Sequence, residues 1–96
     1  MQSNMIEDRT ALNAREVALL VGNGTERLCR GDIVDEAIPE TGSARYDDIV
    51  SHFRLVYSQH GIAITDALAR ELVSDQLHKG KDENRYQESS GMWYRK

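Results

Sequence analysis

Apolar residues recur at spacings of three and four through residues 43–80, SARYDDIVSHFRLVYSQHGIAITDALARELVSDQLHKG, with polar residues on the opposite side of each turn. This spacing predicts two helices joined by a tight turn. Tyr46, Ile49, Val50, Phe53, Val56 and Tyr57 share one face of a helix over 44–59. Ser43 is its expected N-cap, and Asp47 and Asp48 sit early, where the helix dipole favours anions. His60-Gly61 predicts the stop: Gly61 takes the left-handed conformation and Ile62 folds back onto the last turn. Thr65 or Asp66 then opens a second helix that runs to His78 on a stripe of Leu68, Leu72, Val73 and Leu77. Asp66 and Arg70 form an (i, i+4) pair of favourable order, and Lys79-Gly80 ends the helix. A connection this short packs the two helices against each other, so a helical hairpin over 44–78 is the expected centre of the molecule.

The flanking stretches carry weaker patterns. Residues 1–9 are polar and expected to fray. Asn13 as N-cap with Glu16 at N3 makes a capping box, and Leu12 with Val17 a hydrophobic staple, so a helix is expected from Asn13 to Val21, ending at Gly22. A β-hairpin over 17–30 competes with it, because Asn23-Gly24 is a favoured two-residue turn. Thr25 caps a short helix over Glu26–Arg30 that ends at Gly31, and Asp32 caps another turn over Ile33–Ala37 that ends before Pro39. Residues 38–43 read as a loop. Residues 81–96 form either a polar tail or a small β-hairpin over 84–96 around Ser89-Ser90-Gly91. The expected architecture is a mainly α domain over 10–80, of four or five short helices. Its expected buried set is Val17, Leu20, Val21, Leu28, Ile49, Phe53, Val56, Leu68, Leu72 and Leu77.

Composition narrows the function more than it identifies it. Ninety-six residues at 40 % hydrophobic content supply one modest core. No apolar run approaches the length of a membrane span, and the N-terminus lacks the apolar stretch of a signal peptide. Cys29 is the one cysteine, which excludes an internal disulfide and fits a reducing, cytoplasmic setting. His52, His60 and His78 do not fall at metal-ligand spacing, and no phosphate loop or nucleophile elbow is present, so no metal, no cofactor and no catalysis are expected. Charge is uneven. Residues 1–78 carry 7 basic and 13 acidic side chains, whereas residues 79–96 carry 5 basic and 3 acidic ones. The acidic run Asp32, Asp35, Glu36 and Glu40 adds to the first part. An acidic body repels DNA as a whole, so any nucleic-acid contact needs a local basic patch.

Residues 12–31, LNAREVALLVGNGTERLCRG, combine Arg15-Glu16-Val17-Ala18, Val21-Gly22 and Arg27-Leu28. This stretch resembles the opening of a bacterial helix-turn-helix of the excisionase and repressor kind, in which a small residue on the first helix lets the second approach. Ala18 and Gly22 match that pattern. The resemblance implies a DNA-binding regulator whose second helix enters the major groove, with Thr25, Arg27, Arg30 and Arg15 as DNA-contacting residues. Asn23 and Gly31 stand where that pattern expects apolar residues. A ribbon-helix-helix built on the 43–80 pair is disfavoured, since Pro39 and Gly42 precede its first helix in place of an alternating strand. The competing class is a protein-binding inhibitor, adaptor or antitoxin-like module, with an acidic surface and C-terminal anchors Trp93, Tyr94 and Tyr86. A homodimer is compatible with either class.

Overall fold

The computed structural model describes residues 5–23 and 28–96, with the side chains of 19–23 left aside. Helix α1 is Arg9–Asn23, α2 is Arg30–Ala37, α3 is Tyr46–Gln59 and α4 is Asp66–Asp82. Strands β1 (Ala44–Arg45), β2 (Tyr86–Ser89) and β3 (Met92–Arg95) form an antiparallel sheet in the order β1-β3-β2. The architecture is mainly α, four helices among the described residues with a small C-terminal sheet.

The central hairpin forms as the pattern predicts. Ile49, Val50, Phe53 and Tyr57 of α3 and Leu68, Leu72, Val73 and Leu77 of α4 are buried. Phe53 and Tyr57 stack with ring centroids 4.6 Å apart. Gly61 has φ +78 and sits where the backbone turns, and Ile62 N–H returns to Tyr57 O at 2.9 Å. Thr65 caps α4 by accepting the Leu68 N–H at 3.1 Å.

Several boundaries differ from the expectation, each for a tertiary reason. Asp8 starts α1, not Asn13: its carboxylate accepts the Thr10 N–H at 2.8 Å and its carbonyl the Leu12 N–H at 3.0 Å. Asn13 and Glu16 are therefore inside the helix, and no capping box forms. Leu12 becomes a fully buried core residue, while Val17, expected inside, is 57 % exposed. Residues 5–8 are held as well. Ile6 bridges Ile64 in parallel, giving its N–H to Ala63 O at 2.7 Å and taking the Thr65 N–H at 3.0 Å. The expected fraying of residues 1–4 lies outside the described residues. Helix α1 runs to Asn23, which removes the upstream strand of the rival β-hairpin.

Leu28 and Cys29 are not helical, and α2 begins at Arg30, so Gly31 lies within a helix instead of ending one. Residues 24–27, where the short Thr25-capped helix was expected, lie outside the description. Ser43 does not cap α3, because Ala44 and Arg45 pair as β1 with Trp93 and Met92. Helix α4 passes its expected end. Gly80 is buried in it against the Tyr86 ring, where an added Cβ would lie 2.2 Å from a ring carbon. The C-terminal segment is the hairpin alternative: Ser90 and Gly91 have φ 53 and 77, the two positive values a tight two-residue turn requires. Tyr86 and Trp93 are core residues, 2 % and 5 % exposed, so the picture of them as surface anchors does not hold.

Candidate nucleic-acid interface

Helices α3 and α4, joined by residues 60–65, lie some thirty residues beyond the stretch whose sequence resembles a helix-turn-helix. Burial of Leu68, Leu72, Val73 and Leu77 turns the opposite side of α4 outward. Ala67, Arg70, Ser74, His78 and Lys81 recur there at spacings of three and four, Ala67, His78 and Lys81 exposed and Arg70 and Ser74 half-buried. Tyr46 braces this row from the first turn of α3. Its hydroxyl donates to Arg70 O at 3.0 Å, so the 2.8 Å contact with Ser74 Oγ has Ser74 as donor.

Arg70 is fixed at both ends of its guanidinium. Nε donates to Asp66 Oδ2 at 2.6 Å and Nη1 to Asp47 Oδ1 at 3.0 Å. The Asp66 hydrogen bond first, and the Asp47 bond second, raise its pKa further above an already high value. The guanidinium also lies 5.4 Å from the centre of the Tyr46 ring.

The hairpin β2–β3 follows α4 directly and is locked to α2. Tyr86 donates to Asp35 Oδ1 at 2.8 Å, and Arg95 reaches Ile38 O at 2.8 Å and Asp35 Oδ1 at 3.0 Å. Burial first, and Asp35 second, push the Tyr86 hydroxyl up to about 12. Alternation along the strands puts Gln87, Ser89, Met92 and Tyr94 on the sheet's other face, in register with Arg45.

Cations for a polyanion are few. Arg9, Arg30, Arg45, Arg54, Arg70, Arg85 and Arg95 each face a carboxylate. Among the described residues Lys79, Lys81, Lys96 and Arg15 do not. Lys79 and Lys81 lie in the last turn of α4, two residues apart and so on different sides of it, with Lys79 lining the groove beside α1 and α2, and Lys96 Nζ lies 3.4 Å from Asn84 Oδ1.

Of the residues singled out from the sequence, Arg15 and Arg30 stand on different helices, α1 and α2. Thr25 and Arg27 lie outside the described residues. Arg15 is exposed on α1. Arg30 opens α2 and is tied down, with Nη2 2.7 Å from Glu16 Oε1 and 2.8 Å from Asn13 Oδ1. Glu16 also accepts from the Tyr57 hydroxyl, whose pKa is raised by burial and then by this carboxylate. That network fastens α1 to α2 and α3. Tyr94 is half-buried beside the buried Trp93. A groove of about 620 Å³ lies between α1, the start of α2 and the end of α4. Two of its three cations, Arg30 and Arg85, already face Glu16 and Glu83. Arg70, Ser74, His78 and Lys81 were not singled out from the sequence; their signal was the polar side of α4, and Lys81 lay past the expected helix end.

No family model matches the chain, and neither a curated protein nor a solved structure matches it. No described helix is long and apolar enough to cross a membrane.

Proposed function

We propose that the protein is a small DNA-binding regulator that reads DNA with α4 and grips phosphates with lysines near the C-terminal end of that helix, Lys81 first among them. The observation that supports this reading is the pair of consecutive helices α3 and α4 with the outward row on α4. The second helix follows a tight turn, buries one stripe, and leaves its opposite row braced and accessible, with a rigid hairpin beside its C-terminal end. Helix-turn-helix domains lay such a second helix in the major groove. Arg70 supplies donors for base edges, Ser74 Oγ can accept from one, and lysines near the end of α4 supply charge for phosphates. This moves the reading helix from Thr25–Arg30 to Asp66–Asp82 while keeping the class of function.

A specific observation favours a second reading, a protein-binding module. Asp47 of α3 and Asp66, Glu71 and Asp75 of α4 are four exposed carboxylates around α4, and the arginines that reach them, Arg9 and Arg70, are already paired. A partner presenting lysines or arginines complements that surface better than a polyanion does.

The two readings separate on a pool of random duplexes selected on the protein at about 50 mM salt, followed by titration of the enriched sequence. The DNA reading expects enrichment of a short motif, and a loss of about 1–3 kcal/mol in affinity for it with Arg70→Ala. No enrichment and no retardation of any duplex at low salt would give the lead to the protein-binding reading.

A further inference from the structure

Two arginines straddle four carboxylates around α4. Arg70 spans Asp47 and Asp66 and comes from α4 itself. Arg9 comes from the other end of the chain: its Nε lies 2.6 Å from Glu71 Oε1 and its Nη2 2.5 Å from Asp75 Oδ2. Glu71 follows Arg70 on the outward side of α4, and Asp75 is one turn further on. Both are about half exposed, so each meets any polyanion laid along this helix.

An exposed ion pair of this kind adds little to folding. Helix α1 is already held without it. Leu12 is fully buried, Asp8 caps the helix start, Ile6 bridges Ile64, and Glu16 ties to Arg30. What Arg9 changes is the charge that α4 presents. Without it, two adjacent carboxylates one turn apart face the phosphates of a bound duplex. With it, one cation offsets one of the two charges and occupies an oxygen of each.

Resting on the DNA reading, we infer that Arg9 is a charge shield for the reading helix, so that DNA binding depends on the N-terminal segment being docked. Residues 5–12 then form a regulatory element. Whatever displaces them uncovers Glu71 and Asp75 and weakens binding without touching α3, α4 or the hairpin. Arg9 is a positioning residue for the surface charge, distinct from a group that contacts the DNA.

The test is a duplex titration of the full chain, using the motif enriched by the wild type, at low and at raised salt. The variants are Arg9→Ala, Arg9→Lys, the pair Glu71→Gln with Asp75→Asn, and the triple variant that adds Arg9→Ala to that pair. A charge a few ångströms from a phosphate in water is worth about fivefold in affinity. Arg9→Ala should therefore weaken binding by about that factor at low salt, and less at raised salt as screening grows. Arg9→Lys, which keeps the charge, should bind within about twofold of the wild type. The Glu71→Gln, Asp75→Asn pair should bind at least as tightly as the wild type, and because nothing then holds Arg9 beside α4, Arg9→Ala should cost markedly less in that background. Equal losses from Arg9→Ala in both backgrounds would mean that Arg9 touches the DNA itself, and would overturn the shield. An unchanged affinity for Arg9→Ala, or a loss matched by a lowered thermal midpoint, would overturn it too. Failure of the wild type to bind any duplex is a different result, and it removes the DNA reading together with the inference built on it.

Discussion

At the scale of single residues, two glycines inside helices show how packing decides what local propensity cannot. Glycine in a helix interior costs up to about 1 kcal/mol relative to alanine, so both positions appear open to improvement. Gly80 is not, because the added Cβ would sit 2.2 Å from a carbon of the Tyr86 ring. That ring is 2 % exposed and its hydroxyl is bonded to Asp35, so it has nowhere to move. Overpacking of this kind costs about 1–3 kcal/mol, which outweighs the propensity gain. Gly80→Ala should lower the urea midpoint. At Gly31 the same Cβ meets only the end of Gln76, at 3.3 Å, and that flexible amide can turn away. Gly31→Ala should leave the midpoint within about 0.5 kcal/mol of wild type. Tyr86 carries a second expectation. Its folded pKa, pushed up to about 12 by burial and by Asp35, lies above the ordinary phenol value of 10.0. A raised pKa means that the fold favours the protonated phenol, so this stabilisation is complete below pH 10 and is lost as pH rises toward 12. Denaturation midpoints measured between pH 9 and 12 should fall more steeply for the wild type than for Tyr86→Phe. Parallel curves would remove the Tyr86–Asp35 hydrogen bond from the account.

At the scale of elements, the sequence was legible where periodicity and caps agreed and opaque where a distant partner decided. Helix α3, the Gly61 turn and the Thr65 cap follow from local pattern alone. Phe53 sits at the middle of that pattern, fully buried and stacked on Tyr57, so Phe53→Ala should cost about 3–5 kcal/mol. An unchanged denaturation midpoint would displace the α3–α4 pair from the centre of the fold. The errors share a cause. Strand β1 is two residues long and exists because Trp93, almost fifty residues later, pairs with Ala44; no local window contains that information. Gly80 looked like a helix stop because the residue that needs the space, Tyr86, lies in the next element. The Asn13–Glu16 capping box was formally sound and lost to Asp8, whose cap lets Leu12 enter the core and gives Glu16 to Arg30 and Tyr57. The same shift rotates Val17 outward. Arg30 looked like a reader of bases from its place beside a turn, and the burial of its partner Glu16 could not be seen from spacing. The row on α4 was visible only as the polar side of an amphipathic helix, which most helices have.

At the scale of the whole molecule, charge decides how any DNA complex must behave. The chain carries a net charge of −4, so long-range attraction toward a polyanion is absent and affinity has to come from a local patch. On the proposed reading that charge comes first from Lys81, on the outward row of α4, with Lys79 and Lys96 near the same end of the helix. Counterion release then sets a ceiling: each lysine on a phosphate contributes about 0.9 to the slope of log affinity against log salt, so the wild-type slope should be no steeper than about −3. That is shallow for a DNA-binding protein and follows from how many arginines are held by carboxylates. Among the three lysines only Lys81 also continues the outward row of α4. Lys81→Ala should weaken binding to specific and random duplexes by similar factors and reduce the slope by about 1, because a phosphate contact carries no sequence information. Arg70→Ala should do the reverse, relaxing the preference for the enriched motif with a smaller change in slope. Titrations of both variants at four salt concentrations between about 25 and 200 mM separate the two effects. If Lys81→Ala left the slope unchanged while altering sequence preference, the assignment of phosphate and base contacts along α4 would have to be exchanged. If neither variant changed anything while the wild type still bound, the contact would lie on another face of the molecule.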